Sequence, residues 1–332
     1  MNRPMLLIAA LLASTAPAST ALSQTRPDRG PPVLTAANPV AQSHIDAARR
    51  AAGTRWADRL GGFCNLAMPN RPDAPPNRAQ PATPVESADW PEAPAKIFDN
   101  LYFVGSKGVS AFAIDTPEGI IVTDAMWAYD VKKSVIDGLR TLGLDPARIR
   151  YVIVPHGHPD HYGGANFLHD NYGARVVLPS GDLELISQGP KYDTTPIPTS
   201  HDVLVGDGDK LTLGGTTVNF TVMPGHTPGG VVMTFPVYDH GKRHQMLIWA
   251  AGGATPGSTD GQVKQAAALK TLIARTASEH VDALADNHGS HLLVDRMRAD
   301  PGQGNLFLIG EAAVGSYLTM RAECDMARSS NM

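Results

Sequence analysis

Within six residues, His156, His158, Asp160 and His161 set three imidazoles and a carboxylate directly behind the apolar run Tyr151–Val154 (YVIV). Such a run reads as a buried strand. A buried strand that delivers four polar groups to its end is unfavourable unless something satisfies them. Imidazole nitrogen and carboxylate oxygen are the donors that Zn²⁺ takes outside thiolate sites, so the cluster points to a bound metal. Gly157 and Pro159 alternate with the donors, which lets alternate side chains enter one cleft. The Gly163-Gly164 pair lets the loop turn into the next helix.

Composition narrows the rest. The 332 residues carry 28 Lys+Arg against 32 Asp+Glu, a net charge of −4, and no basic face for nucleic acid. A hydrophobic content of 42% excludes wholesale disorder. The chain has 32 Gly and 27 Pro, which implies many turns and no long helical bundle. At the start, Arg3, the apolar run Met5–Leu12 and the small-x-small step Ala21-Leu22-Ser23 have the layout of a secretory signal peptide covering residues 1–23. The run is too short to span a bilayer. Cleavage would remove one positive charge and no negative one. The mature chain is expected to be soluble and exported, periplasmic in a Gram-negative source, with a small-molecule substrate and no membrane contact.

Residues 24–94 read as a Pro-rich extension, with 12 of the prolines between Arg26 and Pro94 and one helix over Ser43–Leu60. It is too polar and irregular to build its own core and should wrap over the body. The body, residues 95–328, opens with strands at Ile97–Val104, Ser110–Ile114 and Ile120–Thr123 and a helix over Tyr129–Leu142. The YVIV strand, a helix at Ala165–Tyr172 and a strand at Arg175–Leu178 follow. Strands at Lys210–Leu213, Thr216–Met223, Val231–Phe235, Gln245–Trp249 and Val281–Ala285, with helices at Val263–Ala277 and Glu311–Ala327, complete the pattern. Strands followed by helices, twice, predict two sheets inside and helices outside. Cys64 and Cys324 form no CxxC motif. In an oxidising compartment they suggest a disulfide, with two separately buried thiols as the alternative.

HGHPDH at 156–161 resembles the HxHxDH signature of the metallo-β-lactamase superfamily, and the similarity runs over roughly residues 96–290. Asp124 ends the IIVT strand, Pro224–Gly229 (PGHTPG) is similar to the family's GHTPG segment, and His288 follows the proposed last strand. The resemblance implies an α/β, four-layer αββα sandwich with two Zn²⁺ at one edge. His156, His158 and His226 would hold one ion, and Asp160, His161 and His288 the other. His291 is the rival to His288. Asp124 would orient ligands from behind, or serve only as a strand-end turn residue.

An absence points to the branch. Glyoxalase II and the lactonases bridge the metals with an Asp after the next strand, and other β-lactamase subclasses place a Cys there. The stretch 247–257 (LIWAAGGATPG) has neither. In this it resembles class B, subclass 3 metallo-β-lactamases, as do the signal peptide, GDGDKLTLGG at 206–215 and the TPG at 255–257. His158, where a flavodiiron site would want Glu, speaks against redox iron. The Gly252 and Ala254 positions are often Ser in that subclass and hold water or substrate. The Asn287-His288-Gly289 context also differs from its His-Pro step.

The implied chemistry is opening of a cyclic amide by a metal-bridging hydroxide that Asp160 orients, and no GxSxG nucleophile motif competes. A hydrolase of another ester, lactone or amide is the alternative, and a non-catalytic metal-containing binding protein a third reading. Tyr162, His201, Gly252 and the Gln188–His201 loop are candidates to line the substrate pocket.

Overall fold

A computed structural model describes residues 34–66, 92–188, 197–255 and 258–331. The expected signal peptide (residues 1–23), most of the prolines of the expected extension, residues 189–196 of the candidate pocket loop and Pro256-Gly257 lie outside them.

The extension forms two helices where one was expected. α1 (Pro39–Ala52) starts at Asn38, whose side chain accepts from the Ala41 amide, and stops at Gly53, which takes a left-handed φ of 52°. That turn, open to glycine at no steric cost, separates it from α2 (Ala57–Phe63). The first sheet then begins with β1 (Ala95–Phe98), β2 (Leu101–Phe103), β3 (Phe112–Thr116) and β4 (Gly119–Val122), an antiparallel meander. The expected single strand Ile97–Val104 is a hairpin, because Asp99-Asn100 turns the chain so that Phe98 pairs with Leu101.

A π-turn at Lys132–Ile136 leads into α3 (Asp137–Thr141). There follow β5 (Ile149–Ile153), α4 (Pro159–Tyr162), α5 (Ala165–Tyr172), β6 (Arg175–Pro179), α6 (Leu183–Gln188) and β7 (Val203–Val205). β4, β5, β6 and β7 run parallel, so the first sheet has the order β1-β2-β3-β4-β5-β6-β7.

The second sheet comprises β8 (Lys210–Leu213), β9 (Thr216–Val222), β10 (Val231–Asp239) and β11 (Lys242–Trp249). After α7 (Thr259–Ser278), β12 (Ala283–Asp286) adds in parallel to β11, giving the order β12-β11-β10-β9-β8. α8 (His291–Ala299) and α9 (Glu311–Ser330) end the chain.

Side-chain alternation along the strands builds three apolar layers. Ile121 and Val177 of the first sheet meet Val218, Phe220, Met246 and Ile248 of the second between the sheets. The other face of the first sheet, with Ile120, Val122 and Val152, packs on Leu139, Tyr162 and Leu168. On the second sheet, Leu247 and Trp249 turn outward onto Ile45 of α1, Leu269 and Leu272 of α7 and Leu318 of α9. Each large side chain so buried stabilises the fold by roughly 2 kcal/mol. The result is the four-layer αββα sandwich. The described part of the extension is a component of its outer layer: Trp56 donates to the Ser316 hydroxyl of α9 at 3.0 Å, and a disulfide joins Cys64 to Cys324 with Cα atoms 4.5 Å apart.

Candidate metal centre

The chain segments that leave β4, β5, β9, β11 and β12 converge on one edge of the sandwich. They deliver Asp124, the His156–His161 cluster, His226, the stretch Ala250–Ala254 and His288. In the group His156, His158 and His226, and in the group Asp160, His161 and His288, the potential ligand atoms lie within 4.8 Å of one another. The three rings of the first group stand nearly perpendicular in pairs, at centroid distances of 5.0, 5.0 and 4.6 Å. In the second, His161 Nε2 lies 3.2 Å from His288 Nε2 and 3.3 Å from the Asp160 carboxylate. His291 belongs to neither group.

Three of the rings are tied from behind. His156 Nδ1 contacts the Ala250 carbonyl at 2.8 Å, His161 Nδ1 the Asp124 carboxylate at 2.6 Å, and His288 Nδ1 the Gly108 carbonyl at 2.7 Å. With Nδ1 engaged from behind, each ring turns Nε2 into its group, the orientation a metal ligand requires. Asp124 also accepts the Met126 amide at 2.7 Å, so its two oxygens are both used and it is buried.

The electrostatics suit a cation. Burial first, then the neighbouring imidazoles, holds His156 well below the ordinary histidine range and brings His226 down to about 3; burial lowers His158 as well. All three are neutral donors at pH 7. Burial alone would lower His161 too, but the Asp124 and Asp160 carboxylates outweigh it and raise it to about 9. Burial would raise Asp160, yet His161, His288 and His158 hold it below the usual carboxylate range. An ion entering this group would take the place of the proton on His161 Nε2, with the Asp124 and Asp160 carboxylates left to balance its charge. Nitrogen-rich, thiolate-free and closely spaced, the donor set fits zinc.

Gly252 adopts a φ of 72°, and a Cβ there would sit 2.5 Å from the His226 ring. Its carbonyl gathers Trp249 Nε1 at 3.1 Å, Gln265 Nε2 at 3.4 Å and Arg321 Nη2 at 3.4 Å. Gly252 therefore acts as a flat support under His226. Gly252→Ala should weaken metal uptake at the first group by about tenfold or more, with the far-UV circular dichroism unchanged. Uptake equal to the wild type, measured by elemental analysis after equilibrium dialysis, would contradict this role.

The other expected pocket residues are placed differently. Tyr162 is fully buried against the helical face of the first sheet and opens onto no cleft. The short α4 aims His161 at the site and turns the next residue inward. His201 is exposed ahead of β7. Sequence reasoning missed the partners that lack any motif: the carbonyls of Gly108 and Ala250, Asn287, whose Nδ2 donates to the same Ala250 carbonyl at 2.9 Å, and Asp182.

The metallo-beta-lactamase superfamily model matches residues 104–239. A Mycobacterium bovis protein of uncharacterized function is 31% identical over 127 residues, 35% of this chain and 54% of that protein. A hydroxyacylglutathione hydrolase of Acidiphilium cryptum is 32% identical over 88 residues, 26% of this chain and 31% of the hydrolase. The chain thus spans about half the length, or less, of these curated relatives. BJP-1, a subclass B3 metallo-beta-lactamase of Bradyrhizobium japonicum, has a solved structure similar at a TM-score of 0.59 and 25% identity, covering 69% of this chain and 91% of that one. With both three-residue groups assembled at the sheet edge, the chain has the metallo-beta-lactamase fold, and its residues 104–239 resemble the metallo-beta-lactamase superfamily.

Proposed function

We propose that the protein is an exported, zinc-dependent hydrolase that opens a cyclic amide, with a β-lactam ring the substrate that best suits the site. One observation carries the reading: five imidazoles and one carboxylate converge as two three-ligand groups, while the stretch Ala250–Ala254 beside them offers neither a carboxylate nor a thiol. That donor pattern supports the likeness to subclass B3 enzymes over the Asp-bridged branch.

His156, His158 and His226 would hold one zinc, and Asp160, His161 and His288 the second. Held by these residues, zinc would supply Lewis acidity for a carbonyl oxygen and would lower the pKa of water from 15.7 towards about 7. The protein's own part is positional. The neutral imidazoles of His156, His158 and His226 would supply lone pairs, Asp124 fixes the His161 ring, and the quarter-exposed Asp160 carboxylate would orient the attacking water and accept its proton. Residues 1–23 would be the removed leader, 24–94 the extension and 95–328 the catalytic body. Consistent with release after cleavage, no described helix is long and apolar enough to cross a membrane.

Similarity to a hydroxyacylglutathione hydrolase favours a second reading, hydrolysis of another ester, lactone, thioester or amide on the same scaffold. A panel of a penicillin, a carbapenem, several lactones and a glutathione thioester, each with and without chelator, separates the readings. Chelator-sensitive β-lactam turnover with about two zinc per chain is expected. Turnover of the lactones or thioester alone would shift the substrate class. A chelator-insensitive rate, or none on any substrate, would sink the metallohydrolase reading and leave a metal-containing binding protein.

A further inference from the structure

We propose that Asp182 is a positioning residue that holds His158 and His226 in place by tying together the two backbone loops that carry them. The inference rests on the metal-centre reading above and concerns residues that contribute no ligand. Asp182 closes the turn Ser180–Asp182 between β6 and α6 and is completely buried. One carboxylate oxygen accepts the Gly157 amide at 2.7 Å, between His156 and His158. The other accepts the Gly229 amide at 2.6 Å, three residues beyond His226. The Thr227 hydroxyl bonds to the same carboxylate.

The two loops have no sequence relation to Asp182, yet they meet on one side chain. Among the described residues no lysine or arginine pairs with it, so backbone and hydroxyl donors are what make its burial tolerable. The fit is close. A Cβ on Gly229 would lie 2.7 Å from the Asp182 amide and from the Gly181 backbone, so the loop can nest there only as glycine.

The need for such an anchor is specific to these two ligands. The rings of His156, His161 and His288 are each fixed through Nδ1 by Ala250, Asp124 and Gly108. No hydrogen bond among the described residues does this for His158 or His226. Their orientation depends on the backbone of their loops, and Asp182 joins both. Asp182→Asn preserves the shape but turns one acceptor into a donor facing an N–H, which should push the loops apart.

The test is titration of the apo-protein with cobalt(II), followed by its ligand-field absorption. Wild-type protein should take up two equivalents. D182N should bind one with unchanged affinity and the other at least about tenfold more weakly, with an altered ligand-field spectrum at the weakened site. Two unchanged affinities would overturn the inference. So would a parallel fall of both affinities together with the unfolding midpoint, which marks a general structural role. If D182N does not fold, amide exchange in the wild type decides. Gly157 and Gly229 should be strongly protected, and exchange of either at the rate of an exposed loop would overturn the clamp. Wild-type protein that takes up no cobalt would overturn the metal-centre reading and this inference with it.

Discussion

Asp160→Asn should lower turnover of the best substrate by about 10²–10⁴-fold, the range that a positioned proton acceptor supplies. That corresponds to roughly 3–5 kcal/mol of transition-state stabilisation. The substitution is nearly isosteric, and the side chain is a quarter exposed, so the fold should survive. What is lost is charge. The carboxylate 3.3 Å from His161 Nε2 and 3.9 Å from His288 Nε2 becomes an amide, which neither accepts a proton nor balances a cation. Rates should be compared at matched metal content, because the same change weakens the second group as a metal site. A variant with two zinc per chain and wild-type turnover would remove Asp160 from the proposed chemistry.

The largest expected effect on stability comes from the two cysteines. Replacing both by serine frees a loop whose ends are 260 residues apart. Chain entropy alone puts the loss on the order of 5 kcal/mol, a large part of the roughly 5–15 kcal/mol available to an ordinary domain. The denaturant midpoint of the double variant should fall far below that of the oxidised wild type. Equal midpoints would mean that the bond adds nothing. The damage should also reach the edge that carries the candidate metal centre. Phe63, beside Cys64, packs its ring 4.5 Å from the Arg321 guanidinium, which lies 3.8 Å over Trp249 and donates to the Gly252 carbonyl beneath His226. Releasing α2 opens one wall of that aromatic box.

Much of the candidate site was legible because its potential ligands sit in compact local patterns at strand ends. The YVIV strand and HGHPDH declare themselves within a dozen residues, and PGHTPG has the same local form. Asp182 had no such signal. Its role depends on amides 25 and 47 positions away, and an aspartate in an SGD turn reads as an ordinary turn residue. The layered architecture followed from strand and helix texture. The hairpin at Asp99-Asn100 did not, because apolar residues on both sides masked the turn. α8, which begins at His291, was also unforeseen. Tyr162 was misplaced for a different reason: sequence adjacency to a ligand says nothing about which face of a one-turn helix the next side chain takes.

The carbonyl of Ala250 accepts from His156 and from Asn287, the neighbour of His288, and so spends both lone pairs. That peptide is gripped by residues from opposite halves of the sandwich and has little freedom to yield to an incoming molecule. The base of the cleft is in this sense a rigid template. Any induced fit, and any drift in selectivity over evolutionary time, has to come from segments that are not pinned to it.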